Sequence, residues 1–99
     1  MSYLSISDVR KQIDVIDSQL VKLIAQRGEC VKAAAAFKKD TQDVKAPDRV
    51  QQVIDKVSIL AEEYGLSQEI IQKVYRSMID AFIDFEIKQH QFINQTEEK

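Results

Sequence analysis

The 99 residues include one cysteine, one histidine, one proline, two glycines and no tryptophan. A lone cysteine, Cys30, excludes a disulfide framework, and its place inside a helical pattern suits a reducing compartment better than a catalytic role. The lone histidine, His90, reads as a surface or structural residue and leaves no Cys/His set for a metal. Two glycines make no phosphate-cradling loop, and nothing resembles a Ser-His-Asp arrangement. With so few glycines and prolines to make turns, long regular elements are expected, and helix is the default. Neither sign of charge dominates: 14 basic and 16 acidic residues are interleaved, for a net charge of −2. That leaves no electrostatic footprint for nucleic acid. No stretch approaches the roughly 20 apolar residues of a membrane span. The first eight residues also lack the basic and apolar regions of an export signal, so a soluble, cytoplasmic chain is expected.

What is present is a 44% hydrophobic composition arranged at helical spacing. Ninety-nine residues make room for one domain, 1–99, and so short a chain buries a small share of its surface, so a second copy would help. From Ser7, read as an N-cap ahead of Asp8, apolar residues recur at Ile6, Val9, Ile13, Ile16, Leu20 and Leu23, then at Cys30, Ala34 and Phe37. This 3-4 alternation over about four heptads predicts a long helix, about 7–39, packed against another helix. Pro47-Asp48 opens a second helix, about 48–64, closed by Gly65 as a left-handed cap. Ser67 with Glu69 opens a third, about 68–94, whose apolar stripe runs through Tyr75, Ile79 and Phe82, then Ile93. A polar stretch lies at Asp40 to Asp43, and Asn94 to Lys99 read as a fraying tail.

Two faults break these stripes. Arg27 stands between Leu23 and Cys30 where an apolar residue belongs, and Glu86 takes the turn after Phe82. Taken singly, each is most simply a snorkelling side chain or a partner-specifying ion pair. Together with their surroundings they suggest more. Lys38 is eleven residues beyond Arg27, which at about 100° per residue returns to within roughly 20° of the same face. Val31, Ala34 and Ala35 lie between, small enough to leave a hollow flanked by two cations, although Lys38 is also readable as a solvated helix-end residue. Arg10 is seventeen residues from Arg27, about 25 Å along the axis, so one chain cannot bring both to one small ligand. An antiparallel second copy could. Arg49, in the first turn of the second helix, opposes the helix dipole and is better explained by a nearby anion. Isolated cations beside apolar faces, one carboxyl group and no nucleophile, metal set or cofactor fingerprint describe a site for a small polyanion. Its chemistry would rest on electrostatics and orientation.

These residues resemble the all-helical chorismate mutases, and especially the small isochorismate-pyruvate lyases that share their type II fold. The resemblance runs through Val9-Arg10, Ile13-Asp14, Ile16-Asp17, Arg27, Val31 to Ala34, Phe37-Lys38, Ala46 to Val50, Ala61 to Leu66 and Glu86 to Lys88. It implies an intertwined homodimer with shared sites, no cofactor, and a small dicarboxylate substrate, chorismate or isochorismate. The positions matching Arg10 and Arg27 would hold the two carboxylates, with Arg10 lent by the other chain. Lys38 and Glu86 would donate to the ether oxygen of the breaking bond, and Arg49 would add positive potential. Val31, Ala34, Ala35, Val50 and Phe82 would bind the rest of the substrate. Val50 stands where mutases often carry a glutamate, which resembles the lyases. Glu86 stands where most relatives have a glutamine, a choice seen in some fungal mutases, and it must be protonated to donate. Mutase activity, lyase activity and a non-catalytic helical dimer are the three readings.

Overall fold

The structure is a computed structural model describing the backbone of residues 3–97 and the side chains of those residues other than 41, 42 and 90–97. His90 and Ile93 therefore lie outside the described side chains, and the last two tail residues outside the described backbone. Four helices follow in order, with no strand among the described residues: α1 (Ile6–Ala35), α2 (Thr41–Lys45), α3 (Pro47–Glu63) and α4 (Gln68–Glu97). The three long helices are those the apolar spacing predicts, and α2 is a short addition. The fourth helix runs three residues past its expected end.

The cap of α1 is Ser5 rather than Ser7. The Asp8 N–H donates to the Ser5 hydroxyl at 3.2 Å, and the Val9 N–H donates to the Ser5 carbonyl at 3.2 Å. Ser5 and Asp8 have the spacing of a capping box, which places Ser7 within the first turn. The far end is also corrected. The helix stops at Ala35, and the next bonds are tighter i to i+3 turns, Phe37 N–H to the Ala34 carbonyl and Lys38 N–H to the Ala35 carbonyl, both 3.0 Å. Helical reckoning of direction therefore does not extend to Lys38.

The reason for the stop lies just beyond. Asp40 Oδ1 accepts from the Asp43 N–H, and Asp43 Oδ2 accepts from the Lys39 N–H, each at 3.0 Å. Short acidic side chains that capture local backbone donors favour a new start over continuation. Val44, buried at 4% exposure, is the apolar anchor of the resulting α2, which packs against α4. Pro47 then has no N–H to extend α2 and disfavours a right-handed helical conformation before it. Ala46 takes up the turn in the left-handed region, φ 38° and ψ 60°, an uncommon place for a residue with a Cβ.

Gly65 closes α3 as expected. Its φ is 72°; its N–H donates to the Glu62 carbonyl at 3.2 Å, while the Leu66 N–H donates to the Ala61 carbonyl at 2.8 Å. This pair of bonds is a Schellman motif. Ser67 caps α4, its hydroxyl accepting from the Ile70 N–H at 3.4 Å and its carbonyl from the Ile71 N–H at 3.2 Å.

The chain divides into two compact units, Met1–Ala33 and Ala34–Lys99. In the second, α3 packs along α4, and the buried apolar residues are Val44, Ile54, Val57, Ala61 and Ile79. Full burial of such a Val or Ile contributes about 1.5–3 kcal/mol. One polar link crosses this core. The buried Ser58 hydroxyl donates to the Ile54 carbonyl at 2.7 Å and accepts from Gln72 Nε2 at 2.9 Å. The first unit contrasts with this: α1 buries no residue along its 30-residue length.

Candidate active site

In the second unit, Tyr75, Ile79, Phe82 and Glu86 follow at intervals of four, three and four residues along α4. Ile79 is buried and the other three are half-buried, whereas Asp80, Ala81, Asp84 and Phe85 are exposed. The stripe read from the sequence is therefore the inward face of α4, and Glu86 belongs to it. Burial pushes the Glu86 carboxyl above its ordinary value of 4.5, while the positive charge of Lys38 pulls it down. The first influence is the larger, so the carboxyl is held more protonated than a solvated glutamate. Protonation is what would give Glu86 a hydrogen to donate, and burial shifts the balance toward that form.

Lys38 is half-buried in the turn between α1 and α2. It shares an electrostatic neighbourhood with Glu86, so the structure brings together the two residues expected to act on one atom. An ammonium beside a carboxyl can present two donors only while that carboxyl is protonated, and such a pair is suited to stabilising negative charge on an oxygen. Of the other residues expected at the site, Phe82 and Ala35 are half-buried and Ala34 is exposed. Val50 is half-buried in α3, its N–H donating to the Ala46 carbonyl at 3.0 Å. Arg49 is exposed in the first turn of α3, where no side chain caps the backbone and Asp48 supplies one negative charge. An uncapped positive helix end plus a guanidinium favours an anion there.

In the first unit, Arg10 is exposed and Arg27 and Val31 are half-buried, all on α1. Because α1 is continuous between them, the separation of Arg10 and Arg27 stays at about 25 Å. The seven large apolar residues between Ile6 and Leu23 that α1 leaves exposed range from 48% at Ile13 to 66% at Val21. Such a face is unusual for a helix with no further partner.

Asp40 and Asp43 were visible to sequence reasoning only as a polar stretch. Their three-residue spacing was the available signal of a cap. Among the described residues, no group of three or more His, Cys, Asp or Glu is placed to hold a metal ion. No helix there is long and apolar enough to cross a membrane.

Comparison with known proteins extends this geometry. Over 83 residues the chain is 32% identical to the isochorismate pyruvate lyase of Pseudomonas aeruginosa, covering 84% of this chain and 82% of that protein. It is 27% identical over 95 residues to the chorismate mutase of Methanocaldococcus jannaschii, covering 95% and 93% respectively. It also matches a quarter, 24%, of the bifunctional chorismate mutase/prephenate dehydratase of Aquifex aeolicus, at 30% identity over 87 residues. The family model for chorismate mutase type II matches residues 9–87, a span that begins beside Arg10 and ends just after Glu86, and the chain is thus an enzyme of the chorismate mutase type II family.

Proposed function

We propose that two copies of this chain form an intertwined cytoplasmic homodimer whose two shared sites rearrange chorismate to prephenate. The observation that carries the reading is Glu86, a carboxyl on an apolar stripe whose burial outweighs the pull of Lys38. Only in its protonated form does it assist an oxygen that is becoming negative.

Arg27 of one chain and Arg10 of the partner subunit grip the substrate's two carboxylates through their bidentate forks. The exposed apolar stripe of α1 supports this pairing, because a second α1 laid antiparallel would cover it and bring the distant arginines to one ligand. Lys38 and Glu86 donate to the ether oxygen, and Arg49 adds positive potential. Val31, Ala34, Ala35, Val50 and Phe82 shape the cavity around the compact conformer. The rearrangement is intramolecular, so orientation and electrostatic stabilisation suffice and no cofactor takes part.

Val50 supports a second reading. An apolar residue at this position, together with the likeness to the Pseudomonas lyase, favours isochorismate and its elimination to salicylate and pyruvate. Incubating the purified chain with each substrate separates the readings. Prephenate from chorismate is expected; salicylate with pyruvate from isochorismate alone would establish the lyase, and neither product would leave a non-catalytic helical dimer. Mixing Arg10→Ala and Arg27→Ala chains tests the sharing. Exchanged heterodimers contain one site with both arginines and should regain activity that neither parent has.

A further inference from the structure

Lys38 lies outside any helix, which raises the question of what aims it. A lysine carries four flexible methylenes, and the residues before it, Ala33 to Phe37, offer no polar hold. Its own N–H donates to the Ala35 carbonyl at 3.0 Å, which fixes the chain on its N-terminal side. On the other side, the next N–H, that of Lys39, donates to Asp43 Oδ2, and the Asp43 N–H donates in turn to Asp40 Oδ1. Asp43 is the third residue of α2, followed directly by Val44, whose burial seats α2 against α4. The helix beneath is the one that carries Glu86.

We propose that Asp43, backed by Asp40, is a positioning residue for Lys38: its carboxylate ties the backbone beside the lysine to a short helix anchored on α4, and so sets the ammonium opposite Glu86. The carboxylate itself does not touch substrate. A one-turn helix built on this reciprocal cap does what a continued α1 could not, because it releases Lys38 from helical geometry and then re-fixes the chain within two residues. Substrate closure over a loop would achieve such placement only after binding; here the tie exists in the free protein. This rests on the reading of Lys38 as a donor to the ether oxygen.

The test uses the full chain. Asp43→Ala is expected to lower kcat about tenfold with little change in KM, because a misplaced donor is missed mainly in the transition state. Asp43→Asn keeps an oxygen that can accept from the Lys39 N–H and should restore most of the rate, although it lacks the charge. In a Lys38→Met background, Asp43→Ala should have no further effect on the residual rate. A loss of equal size in that background, or a loss unrelieved by Asn, would overturn the proposal and leave Asp43 a merely structural cap. A second readout needs no turnover. Carbon-detected titration of Glu86 should move upward in Asp43→Ala as the lysine's pull is lost, and an unmoved titration overturns the proposal. Absence of turnover by the unmodified chain on both substrates would defeat the catalytic reading, while the Glu86 titration still decides the placement of Lys38.

Discussion

The first helix and the α3–α4 pair use the same alphabet of Ile, Val and Leu at helical spacing, with opposite results. Along α3 and α4 the stripe is buried within the chain, at Ile54, Val57, Ala61 and Ile79, and a polar bond joins the two helices. Along α1 nothing is buried, and Leu20, Val21 and Leu23 remain half or more exposed. Periodicity says that a helix has a partner; it does not say whether that partner is in the same molecule. The α3–α4 stripe is served by a neighbour joined through a tight Gly65 turn, whereas α1 is served, under the proposed dimer, by its own copy.

The sharpest way to break this comparison is Leu20→Asp. Under the proposed dimer, a charge in the middle of the α1 stripe would enter a symmetric interface twice, and each leucine lost would remove about 2–3 kcal/mol of burial before any charge is desolvated. The expected outcome is a monomer by sedimentation velocity and activity at least about a hundredfold lower. A dimer of unchanged strength would mean that the stripe faces something else. Ile79→Ala attacks the other half of the comparison. It should cost about 2–5 kcal/mol in urea unfolding followed at fixed protein concentration.

Glu86→Gln tests the carboxyl on the α4 stripe. The raised carboxyl is protonated below its shifted value and ionised above it, so activity of the unmodified chain should climb toward acidic pH. The glutamine variant should show a flat profile over the same range. Stability moves with the same sign. A folded-state value above the ordinary 4.5 gives a contribution that is full below 4.5 and is lost as pH rises through the shifted value. The variant should therefore gain thermal stability relative to its parent at neutral pH and not at pH 4. The smallest effect is expected at the α3–α4 turn. A Cβ at Gly65 would meet nothing within 4 Å, so Gly65→Ala tests the left-handed backbone alone and should cost about 1–2 kcal/mol in thermal melts.

Much of this was legible in the sequence because long helices announce themselves. Apolar spacing located all three long helices, Gly65 and Ser67 gave the α3–α4 turn, and the stripe through Tyr75 placed Glu86 inward. Capping chemistry was harder to read: the sequence points to Ser7, and only the hydrogen bonds at the helix start assign the cap to Ser5. The break after Ala35 was missed for a related reason. Four consecutive alanines carry strong helix propensity, and what overrules them is a pair of aspartates farther on whose side chains compete for backbone donors. The placement of Lys38 was consequently reckoned as helical when a turn sets it. The net direction of the Glu86 shift was also beyond the sequence, because burial and a neighbouring cation oppose each other and only geometry weighs them.

The bond between Ser58 and Gln72 has a directional consequence. The serine hydroxyl has a single hydrogen, which goes to the Ile54 carbonyl of its own helix, so toward α4 it offers lone pairs only. In that orientation the answering group on α4 is a donor, and Gln72 supplies its amide nitrogen. A carboxylate of the same length would, in that orientation, set lone pairs against lone pairs at a part-buried position. While the hydroxyl hydrogen is held by the Ile54 carbonyl, a donor at position 72 completes its bonding, and a slide of either helix by one turn would separate this pair.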